Sequence, residues 1–167
     1  YTLQPIHQEG AVYIPADGEK LKTMRYPLTK QQAEELLARI PDIAACEIQH
    51  FNYKQRTDAF SAALHENRCE SLIGIIKAVS MKKQRFREKQ QYNVDNNFMK
   101  RAMNLLCGEL AYVLEQPFDE IRTTVERSVH DAIQAERKAR REASAAEKAA
   151  EAAQAEQERT DAAADEA

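Results

Sequence analysis

The sequence contains no tryptophan, four glycines and three cysteines among 167 residues. So few glycines leave no room for a glycine-rich phosphate loop, which needs close backbone approach at several adjacent positions. Cys46, Cys69 and Cys107 are odd in number and form no CxxC pair; this argues against a disulfide framework and fits a reducing, cytoplasmic setting. No apolar run approaches the roughly 18 residues of a membrane span, and the start carries no secretory pattern, so no membrane partner is expected. His7, His50, His65 and His130 are dispersed, without HExxH or paired ligand spacing. The acids between Glu115 and Glu120 fall at a helix start, where dipole complementarity accounts for them. The chain therefore reads as a non-enzyme with no metal and no cofactor.

Charge is unevenly placed within a net total of −3. From Lys77 to Arg101 there are eight Lys/Arg against Glu88 and Asp95, a local +6. Such a field attracts phosphates. The acidic excess lies instead in the last 37 residues, which carry −4. Residues 143–167 hold twelve alanines and nothing apolar enough for a core, so they read as a solvated helix fraying into disorder.

Two short extended runs open the chain, ending in Tyr13-Ile14-Pro15, with an Asp17-Gly18 turn behind them. A lone hairpin is marginal in water, so these strands call for partners. Their free edge offers strand addition, to another protein or to a second copy of this chain. The opening at Tyr1, which reads as mid-strand and lacks Met, fits a truncated or processed start.

Helical signals begin at Thr29, which with Gln32 spells a capping box ahead of Leu36, Leu37 and Ile40. A second helix is expected from near Asn52 to His65–Asn67, with Phe60 and Leu64 on its inner face. A third carries Leu72, Ile73, Ile76 and Val79 inward and the first half of the basic block outward. The fourth, capped by Asp95 or Asn93, runs from Phe98 to Leu114 and reads as the central one. The fifth opens at Pro117 and is lined by Ile121, Val125, Val129 and Ile133. The expected fold is mainly α: a compact five-helix domain over residues 28–134, after a β-hairpin in residues 1–27 and before an Ala/Glu-rich tail in 135–167.

Lys82, Arg85 and Lys89 share one helical face, with Lys83 and Arg87 beside them. Lys54 and Arg56 form a second basic group just after Phe51 and Tyr53. Phosphate contacts position a protein on DNA, and an apolar wedge can sense how readily a duplex distorts.

The order of these features resembles the CarD family of bacterial transcription regulators. The resemblance runs through Tyr13-Ile14-Pro15-Ala16-Asp17 and Met24-Arg25-Tyr26-Pro27-Leu28-Thr29 into Gln32-Ala33-Glu34-Glu35-Leu36-Leu37. It continues with Arg56, Phe60, Leu64, Leu72-Ile73-x-x-Ile76-Lys77, Asp95-x-x-Phe98-Met99, Leu105-Leu106-x-x-Glu109-Leu110 and Pro117-Phe118-Asp119-Glu120-Ile121.

What the resemblance implies is a bipartite regulator without catalysis. A Tudor-like β domain would bind the β subunit of bacterial RNA polymerase, and a helical domain would contact promoter DNA upstream of the bubble and modulate open-complex formation. Tyr13, Ile14 and Arg25 match the closing part of the β domain and are the implied polymerase contacts; the chain would hold only the last part of that module. The implied DNA contacts are Lys54, Arg56, Lys82, Lys83, Arg85, Arg87 and Lys89. Well-studied branches place a tryptophan wedge near the start of the second helix, where this chain offers Phe51 or Tyr53. The alternative is a helical protein–protein interaction module without direct DNA contact.

Overall fold

A computed structural model describes residues 1–3, 10–15, 24–47, 52–85 and 92–165, with the side chains of 83–85, 92–94 and 149–165 left aside. Phe51, Arg87 and Lys89 fall outside the described residues, as do the side chains of Lys83 and Arg85.

Strands β1 (Thr2–Leu3) and β2 (Val12–Tyr13) pair antiparallel, Thr2 opposite Tyr13 and Leu3 opposite Val12. Tyr1 and Ile14 extend the ladder: the Ile14 N–H donates to the Tyr1 carbonyl at 2.9 Å, and the Tyr1 amino group donates to the Ile14 carbonyl at 2.8 Å. Gly10 enters β2 at φ +117°, a conformation that side chains rarely adopt. All four strand residues are exposed. The hairpin thus gains its hydrogen bonds without burying an apolar face.

Five helices follow. Helix α1 (Lys30–Arg39) starts at the expected capping box, with Thr29 Oγ1 accepting from the Gln32 N–H and Gln32 Oε1 accepting from the Thr29 N–H. Pro41 tightens its exit into a 3-10 turn at Ile40–Asp42. Helix α2 (Tyr53–His65) has a second reciprocal box, Asn52 with Gln55. It stops at Asn67, which takes the left-handed φ of 52° that asparagine tolerates well. Helices α3 (Cys69–Arg85), α4 (Tyr92–Leu114) and α5 (Phe118–Asp165) complete the chain.

Residues 72–79 of α3 are buried without exception, so this segment is apolar almost all round. Its pairing with α4 is the most extensive between helices, α2 packs on both, and α1 packs on α4. The centre expected in α4 alone is therefore shared with α3. Phe60, Ile73, Ile75, Ile76, Leu106 and Leu110 are essentially sealed from water; each contributes on the order of 1.5–3 kcal/mol of transfer free energy. The Phe60 and Phe98 rings meet at 5.4 Å between centroids, which turns Phe98 toward the core. Gly74 makes room for a loop crossing α3: its carbonyl accepts from the Cys46 N–H at 3.0 Å, and an added Cβ would stand 3.3 Å from the Ala44 carbonyl oxygen.

The chain divides into a unit at Tyr1–Ala132 and a second at Ile133–Ala167. The stripe of Ile121, Val125 and Val129 is buried as expected. Helix α5 nevertheless does not end with it, and runs unbroken to Asp165.

Candidate nucleic-acid interface

The basic block is less available than its sequence suggests. Lys77 is 5% exposed, and its ammonium donates to the carbonyls of Pro41 at 2.9 Å and Ile43 at 2.5 Å. These carbonyls belong to the 3-10 turn and the residue after it, where the helical ladder runs out and acceptors need a donor. The stem of Lys77 lies in the core and its head serves as a cap, which corrects its place on an outer face.

Asp95 changes the reading of two further cations. It is 4% exposed, and its carboxylate accepts from Arg56 Nε at 3.0 Å and from Lys82 Nζ at 2.6 Å. The Arg56 side chain is 8% exposed, so it is corrected from a phosphate-facing cation to one arm of a buried ion pair. Lys82 is half-buried in the same group. One carboxylate thereby joins α2, α3 and α4, and two positive charges are reduced to one. Arg56 Nη2 and Asn96 Oδ1 stay buried without a hydrogen-bond partner among the described residues. Asp95 does not cap α4 as expected; the helix begins three residues earlier, at Tyr92, and its carboxylate turns inward to meet the cations.

Other residues of the two basic groups remain outward. The capping box at Asn52 fixes the first turn of α2, where Tyr53 is 55% exposed and Lys54 stands exposed beside it. Lys100 and Arg101 are exposed on α4 and make no ion pair among the described residues. An exposed ring next to an ammonium, on a helix start that both caps hold, can stack on a base or fill a base step while the cation meets a phosphate.

The expected polymerase-contacting residues lie apart in role. Tyr13 is exposed on β2 and Ile14 is partly covered. Arg25 is instead a clamp: Nη1 and Nη2 donate to the two carboxylate oxygens of Glu109, each at 2.6 Å, and Nε donates to the Asn67 carbonyl at 2.6 Å. The Leu28 N–H also donates to Glu109 at 3.0 Å. Burial raises the Glu109 carboxyl, but the hydrogen bonds from Arg25 and Leu28 and the guanidinium charge outweigh it and hold the group below its ordinary range. Cys69, beside this pair, is pushed up to about 12 by burial and then by the Glu109 charge, so it stays a thiol. Burial likewise raises Cys107, which lies in the core, to about 11.

Neither clamp was read from the sequence. A signal existed for each: Asp95 is one of only two acids in the basic block, and Glu109 is the one charge within Leu105–Ala111. A solitary acid among cations or apolar residues is a candidate counter-ion. Among the described residues no group of side chains could hold a metal ion, and no helix is long and apolar enough to cross a membrane. No family model, no curated protein and no solved structure matches this chain.

Proposed function

We propose that this chain is a non-catalytic, cytoplasmic transcription regulator of the CarD kind, which binds bacterial RNA polymerase and contacts promoter DNA upstream of the bubble. The observation that carries the reading is the exposed Tyr53–Lys54 step on the doubly capped start of α2. Tyr53 supplies an aromatic surface at the place where the resembled family uses its wedge, and Lys54 supplies a phosphate contact. Lys100 and Arg101 add exposed charge, and the cations at 83, 85, 87 and 89 extend it by sequence. The role in DNA contact passes from Arg56 to these residues. Polymerase docking is supported by the hairpin, whose Tyr13 and Val12 are 77% and 47% exposed and whose outer strand edges are unpaired among the described residues.

Anisotropy titrations of the whole chain against a forked promoter duplex and its fully paired counterpart test this, each over a series of salt concentrations. Tyr53→Ala is expected to lower affinity for the fork and leave the paired duplex unchanged. Lys54→Ala lowers both alike and reduces the salt slope by about one. Binding of neither duplex, or equal affinity for all three proteins, would sink the proposal.

A second reading rests on Leu105 and Tyr112, which are 48% and 59% exposed and lie two turns apart on α4. That spacing puts both on one side of the helix, as a protein-docking surface requires. A Leu105→Ala/Tyr112→Ala variant that loses polymerase binding while neither protein binds DNA would favour it.

A further inference from the structure

From Gln134 to Lys148 every residue but Arg137 is exposed, so this part of α5 has no apolar face to bury. Its charges are nevertheless not scattered. At 3.6 residues per turn, Arg137, Arg140, Arg141, Ser144 and Lys148 fall within about 100° of arc, along about 16 Å of the helix axis. Glu136, Glu142 and Glu147, the acids of this stretch, all stand outside that arc. Arg140, Arg141, Ser144 and Lys148 are exposed, and Arg137 is half-buried. Lys138 and Glu142 approach at 3.9 Å, but both lie beyond the edge of the arc. None of the cations within it makes an ion pair among the described residues.

Like charges three and four residues apart, as Arg137 is from Arg140 and Arg141, destabilise a free helix, and an anion laid along them relieves the repulsion. The neighbouring residues narrow the choice of anion. The opposite side of the helix offers Ala139, Ala143 and Ala146, with none of the bulky apolar residues by which a surface-lying helix enters a bilayer. The same lack leaves no anchor for a groove on another protein. No aromatic residue occurs from 134 to 148, so single-stranded bases find nothing to stack on. A duplex backbone requires none of these. It needs closely spaced cations, and guanidinium groups meet phosphates through paired hydrogen bonds. Over about 16 Å a duplex carries on the order of ten phosphates, enough to engage every cation of the arc.

We propose that Arg137, Arg140, Arg141 and Lys148 form a second duplex-contacting face, which binds the phosphate backbone without reading base sequence. The proposal rests on the reading above for DNA as the partner, and adds to it a contact separate from Tyr53 and Lys54.

Anisotropy titrations of the whole chain, on a fully paired duplex and on a forked one over a salt series, test it with two variants, and far-UV circular dichroism reports helix content. R137Q/R140Q/R141Q/K148Q removes the charges at nearly constant helix propensity. R137A/A139R/A146K/K148A keeps composition and net charge, but moves two of the cations to the opposite side of the helix. The first variant is expected to lower affinity for both DNAs alike, by at least about tenfold near 100 mM salt, and to reduce the salt slope by about three to four. The second lowers affinity by at least about threefold and the slope by about two. Wild-type affinity in the first variant overturns the proposal. Wild-type affinity in the second does so too, because total charge and not the face would then decide. A wild type that binds phosphatidylserine vesicles and no duplex assigns the face to lipid and refutes the proposal as well. Tyr53→Ala separates this contact from the fork reading: it changes the ratio of fork to paired affinity, which both face variants leave unchanged. If only Tyr53→Ala alters binding, the second face alone fails; if the wild type binds neither DNA, both readings fail.

Discussion

Arg25 and Glu109 stand 84 residues apart in sequence and meet in a two-pronged, charge-assisted contact. With the Asn67 carbonyl on Nε and the Leu28 N–H on Glu109, the contact fastens the segment ahead of α1 to the end of α2 and the C-terminal part of α4. Glu109 is held below its ordinary value of 4.5, so the pair contributes stability that is fully present above that value and lost as pH falls through the lower, folded one. Glu109→Gln keeps the shape and removes the charge. It is expected to cost about 1.5–3 kcal/mol at neutral pH, the range for a hydrogen bond to a charged group. As the medium is acidified the wild-type carboxylate is neutralised too, so the two stabilities converge. Urea unfolding of both proteins at neutral pH and at about pH 3 checks this, and a constant difference between them would exclude the linkage.

Among the helices, Asp95 is the corresponding fastener, and its burial makes it more consequential. Removing one partner of a buried pair leaves the other charge uncompensated, typically at a cost of about 3–5 kcal/mol. Asp95→Ala is expected to fall in that range, because it strands Arg56 Nε in addition to the already unpartnered Nη2. Lys82→Ala should cost less, about 1 kcal/mol, since the Lys82 side chain keeps 23% of its surface in water and its loss leaves Arg56 paired. The double variant Asp95→Ala/Arg56→Met should recover part of the loss, because it removes the buried charge together with its partner. Chemical denaturation of the three variants decides it; equal losses for Asp95→Ala and Lys82→Ala would show that the carboxylate does not depend on its burial. The local features of these helices were legible in the sequence because their causes are local. The capping box at Thr29, the start at Asn52, the stop near Asn67 and the stripe of Ile121, Val125 and Val129 all follow from residues within a few positions of one another. The fate of each cation was not legible. Lys77, Arg56 and Lys82 look alike in a charge count, yet one caps a 3-10 turn and two meet an acid, at distances set only once α2, α3 and α4 pack.

At the scale of the whole chain, stability is unevenly distributed between the two units. Residues 72–79 of α3 are buried throughout, and in α4 Ala102, Met103, Leu106, Cys107, Leu110 and Ala111 are buried too, so their backbone hydrogen bonds open only when the core opens. The segment from Gln134 to Lys148 has almost nothing buried, and its propensity rests on alanine and long polar residues. A helix without a packed face is marginal even in an alanine-rich sequence, which explains why the sequence reads as fraying while the structure keeps the helix to Asp165. Native-state hydrogen exchange, run dilute and in high salt, should therefore show near-global protection in 72–79 and 102–111 and fast exchange from 134 to 165. Slow exchange of 134–165 in that sample would mean that this stretch is held by something other than its own helix propensity.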